Sequence, residues 1–260
     1  MTNDRIQQLA EIVDSAAMNL AEIGMLTADA PDLTIDAAYE VQEASVERRL
    51  ARGERVIGMK MGLTSRAKME QMGVHEPIYG ILTSSMIVND GAAIRISELC
   101  HPRIEPEVAF ILSDDLEGPV SPAQALMAVG GVCAALEVID SRYRDFKFTL
   151  PDVIADNTSA VRFVLGSAVT AADWLNLGNL GMVMEVNGAI VETGSSSAIY
   201  DNPARSLAEL ANMLARRGRK LHAGQIVLSG GATAAIPLKA GDRVRVEIDE
   251  IGSAEIRVIP

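Results

Sequence analysis

Residues 103–112 read RIEPEVAFIL, a stretch that places two glutamates inside an otherwise apolar run. In an extended strand successive side chains alternate between the two faces, so Glu105 and Glu107 point the same way. The β-branched residues of this run favour a strand, whereas Pro106 suits an edge, a strand start or a bulge better than a central position. Two like charges held this close need either water on an exposed face or a bound cation.

The chain from Arg55 onward has the pattern of a β-rich body, because β-branched runs alternate with Gly, Asp and Asn. Two hairpin-like units in the C-terminal third turn at Asn187-Gly188 and near Gly252. Three helical segments are predicted to interrupt this body, at 64–72, 121–130 and 203–217. The fold class that follows is α+β.

The first fifty residues are predicted to be helical. Apolar residues recur there at three- and four-residue intervals, and a second periodic segment, TIDAAYEVQEASVERRLARG, follows a break at Pro31. Thr34 is the predicted N-cap of the second helix, and Gly53 is its predicted end, after a basic last turn. The sequence contains no repeat and no long polar linker that would mark independent domains.

The composition indicates a folded protein that acts on a small molecule. Of 260 residues 48% are hydrophobic, which is ample for a core, and the net charge is −12. That charge disfavours nucleic acid and anionic membranes as partners. No apolar run reaches about 18 residues, and the N-terminus carries acids where a secretory signal carries a basic cap. We therefore expect a cytoplasmic protein.

A third acid, Glu137, lies in the strand-like run VCAALEVID, where a lone ionised carboxylate costs several kcal/mol unless it is paired or bound to metal. Three buried acids without His or Cys nearby would suit Mg²⁺ or Mn²⁺. The alternative is that Glu105 and Glu107 lie on a solvated face and that Glu137 pairs with an arginine such as Arg142. Spacing alone leaves both interpretations open.

Lys60 lies in the run VIGMKMGLTS, with glycines two residues away on each side. These glycines leave room for a ligand or for another backbone, so we infer a cavity beside Lys60. Apolar surroundings lower the pKa of a lysine, which suits proton transfer, whereas nearby carboxylates raise it. The alternative is an ordinary lysine whose ammonium reaches water.

The remaining motifs are weaker. GLTS at 62–65 and LSGGATA at 228–234 could form a backbone concavity for a substrate carboxylate, or could simply be turns. His101 adjoins the acidic strand, either in support of the site or as an ordinary loop histidine. Cys100 and Cys133 have no disulfide or zinc pattern and are expected to be small buried hydrophobes. No GxSxG nucleophile elbow is present.

Several long stretches resemble the hydratase and decarboxylase family that is related to fumarylacetoacetate hydrolase. They are GMKMGLTSRAKMEQMGVHEPIYG, HPRIEPEVAFIL, LEVIDSRYRDFKF, LPDVIADNTSAVRFVLG and AGQIVLSGGATAAIPLKAGDRVRVEIDEIGS. The resemblance implies a fumarylacetoacetase C-terminal-like mixed β-sheet roll or barrel with an N-terminal helical segment. Residues 1–75 would be mainly helical and 76–260 would form the β-rich catalytic domain, both within one integrated fold.

The resemblance also assigns site residues. It places the metal-binding carboxylates on Glu105, Glu107 and Glu137, and the catalytic lysine on Lys60. Mg²⁺ or Mn²⁺ is the implied cofactor. The substrate-binding residues are expected to be Thr64, Ser65, Tyr79, Lys147, Ser229, Gly230, Gly231 and Thr233. Lys147 would either contact the second carboxylate of a dicarboxylic substrate or be an exposed structural lysine.

The implied reaction is the metal-dependent decarboxylation of 2-oxohex-3-enedioate to 2-hydroxypenta-2,4-dienoate and CO₂, in the meta-cleavage pathway for aromatic compounds. Hydratases of the family typically read PDFG where this chain has Pro77-Ile78-Tyr79-Gly80, and SRYRDFKF, with Lys147, is similar to the decarboxylase type. A hydratase acting on 2-hydroxypenta-2,4-dienoate is the first alternative, and an inert binding subunit of a hydratase complex is the second. A homo-oligomer and a complex with the pathway hydratase are the expected assemblies.

Overall fold

The computed structural model describes residues 1–65, 69–70 and 73–260. Within these residues the chain forms N-terminal helices and two mixed β-sheets, which confirms the predicted α+β class and the mixed-sheet fold. The α-helices are α1 (Asn3–Asn19), α2 (Leu26–Asp29), α3 (Ile35–Ala51), α4 (Pro122–Leu126), α5 (Leu150–Ala155) and α6 (Pro203–Arg216). Short 3₁₀ helices cover Ile96–Glu98, Arg144–Phe146, Asn157–Ser159, Ala172–Trp174 and Ser196–Ala198.

The strands of the larger sheet follow the order β2-β1-β10-β5-β6-β7-β3, with β11 also paired to β5. The smaller sheet has the order β4-β13-β12-β8-β9. The strand bounds are β1 (Val56–Gly62), β2 (Ile78–Thr83), β3 (Ile87–Val88), β4 (Ala93–Arg95), β5 (Arg103–Leu112), β6 (Val129–Ile139), β7 (Ala160–Leu165), β8 (Gly181–Val186), β9 (Ala189–Ser195), β10 (Ile226–Leu228), β11 (Ile236–Pro237), β12 (Arg243–Ile248) and β13 (Gly252–Ile259).

The N-terminal helices begin and end close to their predicted positions. The Thr34 hydroxyl accepts a hydrogen bond of 3.2 Å from the amide of Ala37, which caps α3 as predicted. Gly53, with φ 99°, follows the end of this helix. Arg52 then donates two hydrogen bonds, of 2.6 and 2.7 Å, to the carboxylate of Asp14 in α1, so the end of α3 is fixed against its neighbour.

Strand β5 coincides with the RIEPEVAFIL stretch and lies inside the larger sheet, between β6 and the pair β10 and β11. This central position is the one that Pro106 was not expected to favour. The strand tolerates Pro106 because β10 and β11 pair only with its two ends, and residues 229–235 run beside its middle as a loop. The Pro106 carbonyl still accepts a hydrogen bond from the Ala232 amide. Proline has no backbone N–H, so what this position forgoes is the hydrogen bond that such a group would donate.

Both predicted hairpins are confirmed. Strands β8 and β9 are joined at Asn187 and Gly188, and β12 and β13 meet at a turn that ends at Gly252. The predicted helical segments at 121–130 and 203–217 contain α4 and α6, although β6 already begins at Val129. The segment at 64–72 includes residues 66–68 and 71–72, which lie outside the described residues.

The smaller sheet packs against strands β6 and β7 of the larger one, so β6 is covered on that side. Strand β1 precedes the predicted division at residue 75 and pairs with both β2 and β10, while the division itself stays a prediction. Cys133 is buried and Cys100 is half-buried, and both are free thiols. Among the described residues no helix is long and apolar enough to cross a membrane.

Candidate active site

Three glutamates converge at the junction of β5 and β6. Glu105 lies directly opposite Glu137 in the antiparallel register, and Glu107 lies two residues further along β5 on the same face. One carboxylate oxygen from each lies within 4.8 Å of the others. The side chains of Glu105, Glu107 and Glu137 are 5%, 0% and 1% exposed. The alternative of a solvated strand face is therefore wrong.

The cluster is paired with Lys60 and not with Arg142. Lys60 Nζ lies 2.8 Å from Glu137 Oε2, and the lysine is only 2% exposed, so its ammonium does not reach water as the alternative required. Arg142 instead forms a buried ion pair with Asp156. The pairing of Glu137 with Arg142 that the sequence left open is therefore wrong.

The electrostatics of the cluster favour a bound cation. Burial, together with the charges of Glu137 and Glu105, raises the pKa of Glu107 well above its usual value of 4.5. Burial likewise raises the pKa of Glu137, although Lys60 opposes the shift. Glu107 Oε1 and Glu137 Oε1 accept no hydrogen bond from any described residue. Buried oxygens without donors and free of His or Cys fit a hard divalent cation such as Mg²⁺ or Mn²⁺.

Strand β1 carries Lys60, and glycines nearby leave the space that its buried side chain and the neighbouring strand occupy. A Cβ at Gly58 would lie 2.0 Å from the carbonyl oxygen of Ile226, so close approach of β10 requires that glycine. A Cβ at Gly80 would lie 3.2 Å from Cδ of Lys60. Lys60 Nζ also donates to the Thr158 carbonyl at 3.2 Å. The glycines thus admit both the neighbouring backbone and the buried lysine.

The 228–234 loop holds the protein's own carboxylates. The Gly230 amide donates a 2.6 Å hydrogen bond to Glu107 Oε2. A Cβ at Gly231 would lie 2.1 Å from Glu105 Oε2. The Ser229 hydroxyl is buried and donates to the Val108 carbonyl at 2.7 Å, so it is occupied by the backbone. The predicted anion-binding loop is present, but the anion that it contacts in this structure is Glu107.

Beside Lys60 and Glu105 the fold forms a cavity of about 380 Å³. Among the described residues its walls combine two phenylalanine rings with aliphatic and small side chains and with the charged residues Lys60, Arg103 and Glu105. The lining residues are Lys60, Gly62, Leu63, Ile78, Arg103, Glu105, Ile139, Phe146, Phe148, Val153, Thr158, Ser159, Ala234 and Ala235. The sequence interpretation missed Arg103, Phe146 and Phe148. The alternation that paired Glu105 with Glu107 also places Arg103 on the same face, so that signal was available.

Two predicted substrate-binding residues point away from this cavity. The Tyr79 ring lies on the opposite face of β2 and stacks on Tyr39, with ring centroids 4.4 Å apart. The Lys147 side chain is 78% exposed and lies 3.7 Å from Asp145. In this structure strand alternation turns Tyr79 away from the cavity and the Lys147 side chain projects into solvent, while the contacts of both residues with a substrate stay predictions.

The remaining predicted residues, Thr64, Ser65 and Thr233, are not among the residues that line the cavity. Thr64 is buried, and its Oγ1 would lie 2.2 Å from a Cβ placed at Gly230. Ser65 is half-buried and its carbonyl accepts the amide of Met69. The Thr233 hydroxyl donates to the Ala234 carbonyl at 3.2 Å. Contacts of these three residues with a substrate stay predictions.

His101 supports the cavity wall. Its Nδ1 lies 2.7 Å from Glu22 Oε1, and its ring centroid lies 4.7 Å from that of Phe146. The two backbone amides of Cys100 and His101 donate to the carboxylate of Asp140, which fixes the chain immediately before β5. His101 therefore contacts a wall residue and is separated from the glutamates.

The fold and the buried acid cluster define a member of the fumarylacetoacetate hydrolase family. Residues 51–259 match the family described as fumarylacetoacetate (FAA) hydrolase C-terminal, and the chain belongs to that family. It is 44% identical over 260 residues to a 4-oxalocrotonate decarboxylase of Pseudomonas sp. (strain CF600), which covers 100% of this chain and 98% of the relative.

A solved structure and a further relative give the same picture. The structure of 4-oxalocrotonate decarboxylase from Pseudomonas putida G7, complexed with magnesium and adipate, superposes with a TM-score of 0.97 at 42% identity and covers 100% of this chain and 99% of its own. A 2-hydroxyhexa-2,4-dienoate hydratase of Comamonas testosteroni is 38% identical over 254 residues, or 96% of this chain and 95% of the relative. The similarity is thus higher to these decarboxylases than to this hydratase.

Proposed function

We propose that this protein decarboxylates 2-oxohex-3-enedioate (4-oxalocrotonate) to 2-hydroxypenta-2,4-dienoate and CO₂. The observation that carries the proposal is the buried Glu105, Glu107 and Glu137 cluster beside Lys60, at the wall of a cavity, in a chain similar over its full length to decarboxylases of that substrate. The cavity volume suits a six-carbon diacid. The enzyme is a carbon–carbon lyase of the meta-cleavage pathway for aromatic compounds.

Glu105, Glu107 and Glu137 would hold Mg²⁺ or Mn²⁺. This fits the unsatisfied buried oxygens of Glu107 and Glu137 and the magnesium in the similar Pseudomonas putida G7 structure. A divalent cation supplies Lewis-acid stabilisation of negative charge on the oxygens of an α-keto acid. The Gly230 amide, by its hydrogen bond to Glu107, orients that carboxylate for binding.

The chemistry of the substrate explains why the protein places positive charge at one end of the cavity. When the bond between C5 and C6 breaks, its electron pair delocalises through the C3–C4 double bond to the C2 oxygen, and CO₂ leaves. Negative charge therefore develops at the α-keto acid end. Lys60 presents a buried ammonium at the cavity wall, where it stabilises that charge electrostatically. Its salt bridge with Glu137 fixes the ammonium in position.

The hydratase and the inert subunit are less well supported. Ile78 lines the cavity at the position where the sequence interpretation expects an acid in hydratases, and this chain offers no carboxylate there. All three cluster carboxylates are present, whereas an inert subunit would be expected to lack one. CO₂ release from the six-carbon diacid, compared with water addition to the five-carbon dienol, distinguishes the two enzymes.

We propose a homo-oligomer located in the cytoplasm, together with a complex with the pathway hydratase. Support for assembly comes from large apolar side chains on the surface: Trp174 is 88% exposed and Ile190, on the edge strand β9, is 63% exposed. Light scattering measures the oligomer, and co-elution with purified hydratase tests the complex. A monomer that does not co-elute would contradict both assemblies.

The experiment that tests the function is a comparison of Glu107→Gln with Glu247→Gln. The first substitution removes a buried carboxylate of the cluster, and the second removes the same charge from an exposed residue that, within the described part of the chain, pairs only with Arg245. We expect Glu107→Gln to lower kcat by at least roughly 10²–10³ with the fold intact, because one electrostatic partner is lost. Full activity of Glu107→Gln, or activity after removal of all divalent metal, would contradict the proposal.

A further inference from the structure

Arg103 lines the cavity at the start of β5, two residues before Glu105. Residues two apart in a strand share a face, and their Cα atoms are separated by about 6–7 Å. The Arg103 side chain therefore belongs to the same cavity face as the acid cluster but is displaced along the strand from Glu105. The two residues bring opposite charges to one cavity wall.

The Arg103 guanidinium is available to a ligand. It is exposed, and it forms no ion pair with any carboxylate of the described residues. Its only described side-chain contact is with Phe146, whose ring centroid lies 5.0 Å from Cζ. By contrast, Lys60, the other cation of the cavity wall, is already paired with Glu137. A second anionic group entering the cavity would thus meet Arg103.

The wall next to Arg103 is aromatic. Phe146 and Phe148 both line the cavity, with ring centroids 6.2 Å apart, and His101 packs against Phe146 from behind. Rings in this position give a carboxylate that is held by the guanidinium an apolar neighbour. Loss of CO₂ is helped when a carboxylate leaves water for an apolar environment, since the neutral product needs no hydration.

We propose that Arg103 binds the C6 carboxylate of the substrate, the group that is lost as CO₂, and so selects dicarboxylates over monocarboxylates. This inference rests on the proposed function. A planar guanidinium holds a carboxylate in a fixed orientation through paired hydrogen bonds, which sets the angle of the C5–C6 bond to the conjugated chain. As the bond breaks, the electron pair moves to C5 and onward to the C2 oxygen. Neutral CO₂ then has no ion pair to retain it.

The test compares the binding of adipate and of hexanoate to the magnesium-loaded protein by calorimetry. The two acids have the same chain length, and hexanoate lacks the second carboxylate. The variants are Arg103→Gln, Arg103→Lys and the control Arg245→Gln, which removes the same charge from a surface residue paired with Glu247 outside the cavity. Thermal melting of each variant verifies the fold.

We expect Arg103→Gln to weaken adipate binding by about 10–100-fold, with hexanoate binding unchanged. Arg103→Lys should recover part of the loss, because lysine keeps the positive charge but cannot form the paired hydrogen bonds of a guanidinium. Arg245→Gln should bind adipate as the wild type does. With the substrate itself, Arg103→Gln should raise KM more than it lowers kcat, because the ion pair with the C6 carboxylate contributes mainly to substrate binding.

Two results would overturn the inference: unchanged adipate binding by Arg103→Gln, or an equal loss of adipate and hexanoate binding. The outcome is separable from that of the proposed function. If the wild type releases no CO₂ but its binding of adipate still depends on Arg103, the inference is supported and the decarboxylase proposal fails. If the wild type releases CO₂ but Arg103→Gln binds adipate normally, the decarboxylase proposal is supported and the inference about Arg103 fails.

Discussion

Lys60 Nζ lies 2.8 Å from Glu137 Oε2, and both side chains are buried, at 2% and 1% exposure. Among the described residues Lys60 is the ammonium that faces the cluster, and the buried carboxylates of Glu107 and Glu137 carry negative charge in excess of it. Burial of unpaired charge is costly, and a divalent cation would neutralise the excess. The salt bridge therefore has two roles: it reduces the charge of the cluster and it fixes the lysine beside the substrate cavity.

Substitution of Lys60 by Met should separate these roles. We expect Lys60→Met to lower the free energy of unfolding of the metal-free protein by about 3–5 kcal/mol, because Glu137 is left buried without its partner. The double variant Lys60→Met with Glu137→Gln should regain most of that stability. Both variants should remain inactive. Urea unfolding and CO₂ release measure the two properties.

Glu137→Gln alone completes the thermodynamic cycle for this pair. A coupling energy near zero between the two substitutions would contradict the importance of the salt bridge for stability. Activity of the double variant close to that of the wild type would contradict the role of Lys60 in the reaction.

The acid cluster also predicts a pH dependence for the metal-free protein. Because burial raises the folded-state pKa of Glu107 above its unfolded value, the folded chain binds more protons than the unfolded chain between those two pKa values. The free energy of unfolding should therefore fall as the pH rises through this window. Urea unfolding in EDTA between about pH 5 and pH 8 measures the slope.

Glu107→Gln is the control for this slope. The amide does not titrate, so the variant should lose stability less steeply with rising pH, and at neutral pH the metal-free variant should be more stable than the metal-free wild type. Part of the slope should persist, because the pKa of Glu137 is raised in the same direction. Equal slopes for variant and wild type would show that Glu107 is not the group responsible.

Addition of Mg²⁺ should raise the stability of the metal-free wild-type protein. A ligand at 100 times its Kd stabilises the folded state by about 2.7 kcal/mol, which raises Tm by roughly 5–10 °C in a chain of this size. We expect this shift for the wild type and for Glu247→Gln, and its loss in Glu105→Gln. Differential scanning fluorimetry with and without EDTA measures it. A shift that persists in Glu105→Gln would place the cation elsewhere.

Much of this site follows from local rules that operate within one strand. The alternation of side chains was enough to place Glu105 and Glu107 together, since β5 is a regular strand over Arg103–Leu112. The position of Glu137 across from Glu105 depends on the register between β5 and β6, which no spacing in the sequence defines. The apolar run around Glu137 made it a candidate, and the family resemblance, not the spacing, assigned it to the same metal site as the other two acids.

Sequence patterns say less where long-range packing decides the direction of a side chain. Tyr79 occupies the face of β2 that packs on Tyr39, and a single residue of register separates that face from the cavity. Lys147 lies in an irregular segment after the 3₁₀ helix Arg144–Phe146, where no periodicity predicts direction. The Gly230 amide contacts Glu107, an interaction between residues 123 positions apart.

Gly231 provides the sharpest test of the packing around the cluster. A Cβ at this position would lie 2.1 Å from Glu105 Oε2 and 2.4 Å from its Cδ, so Gly231→Ala must displace that carboxylate. We expect the variant to fold, to lose most of the thermal shift with Mg²⁺ and to lose activity by roughly 10²-fold or more. Gly24→Ala is the matched control, because nothing lies within 4 Å of the added methyl group. If both variants bind Mg²⁺ and release CO₂ equally well, then Glu105 does not need its present position, and the metal site inferred from the three carboxylates is wrong.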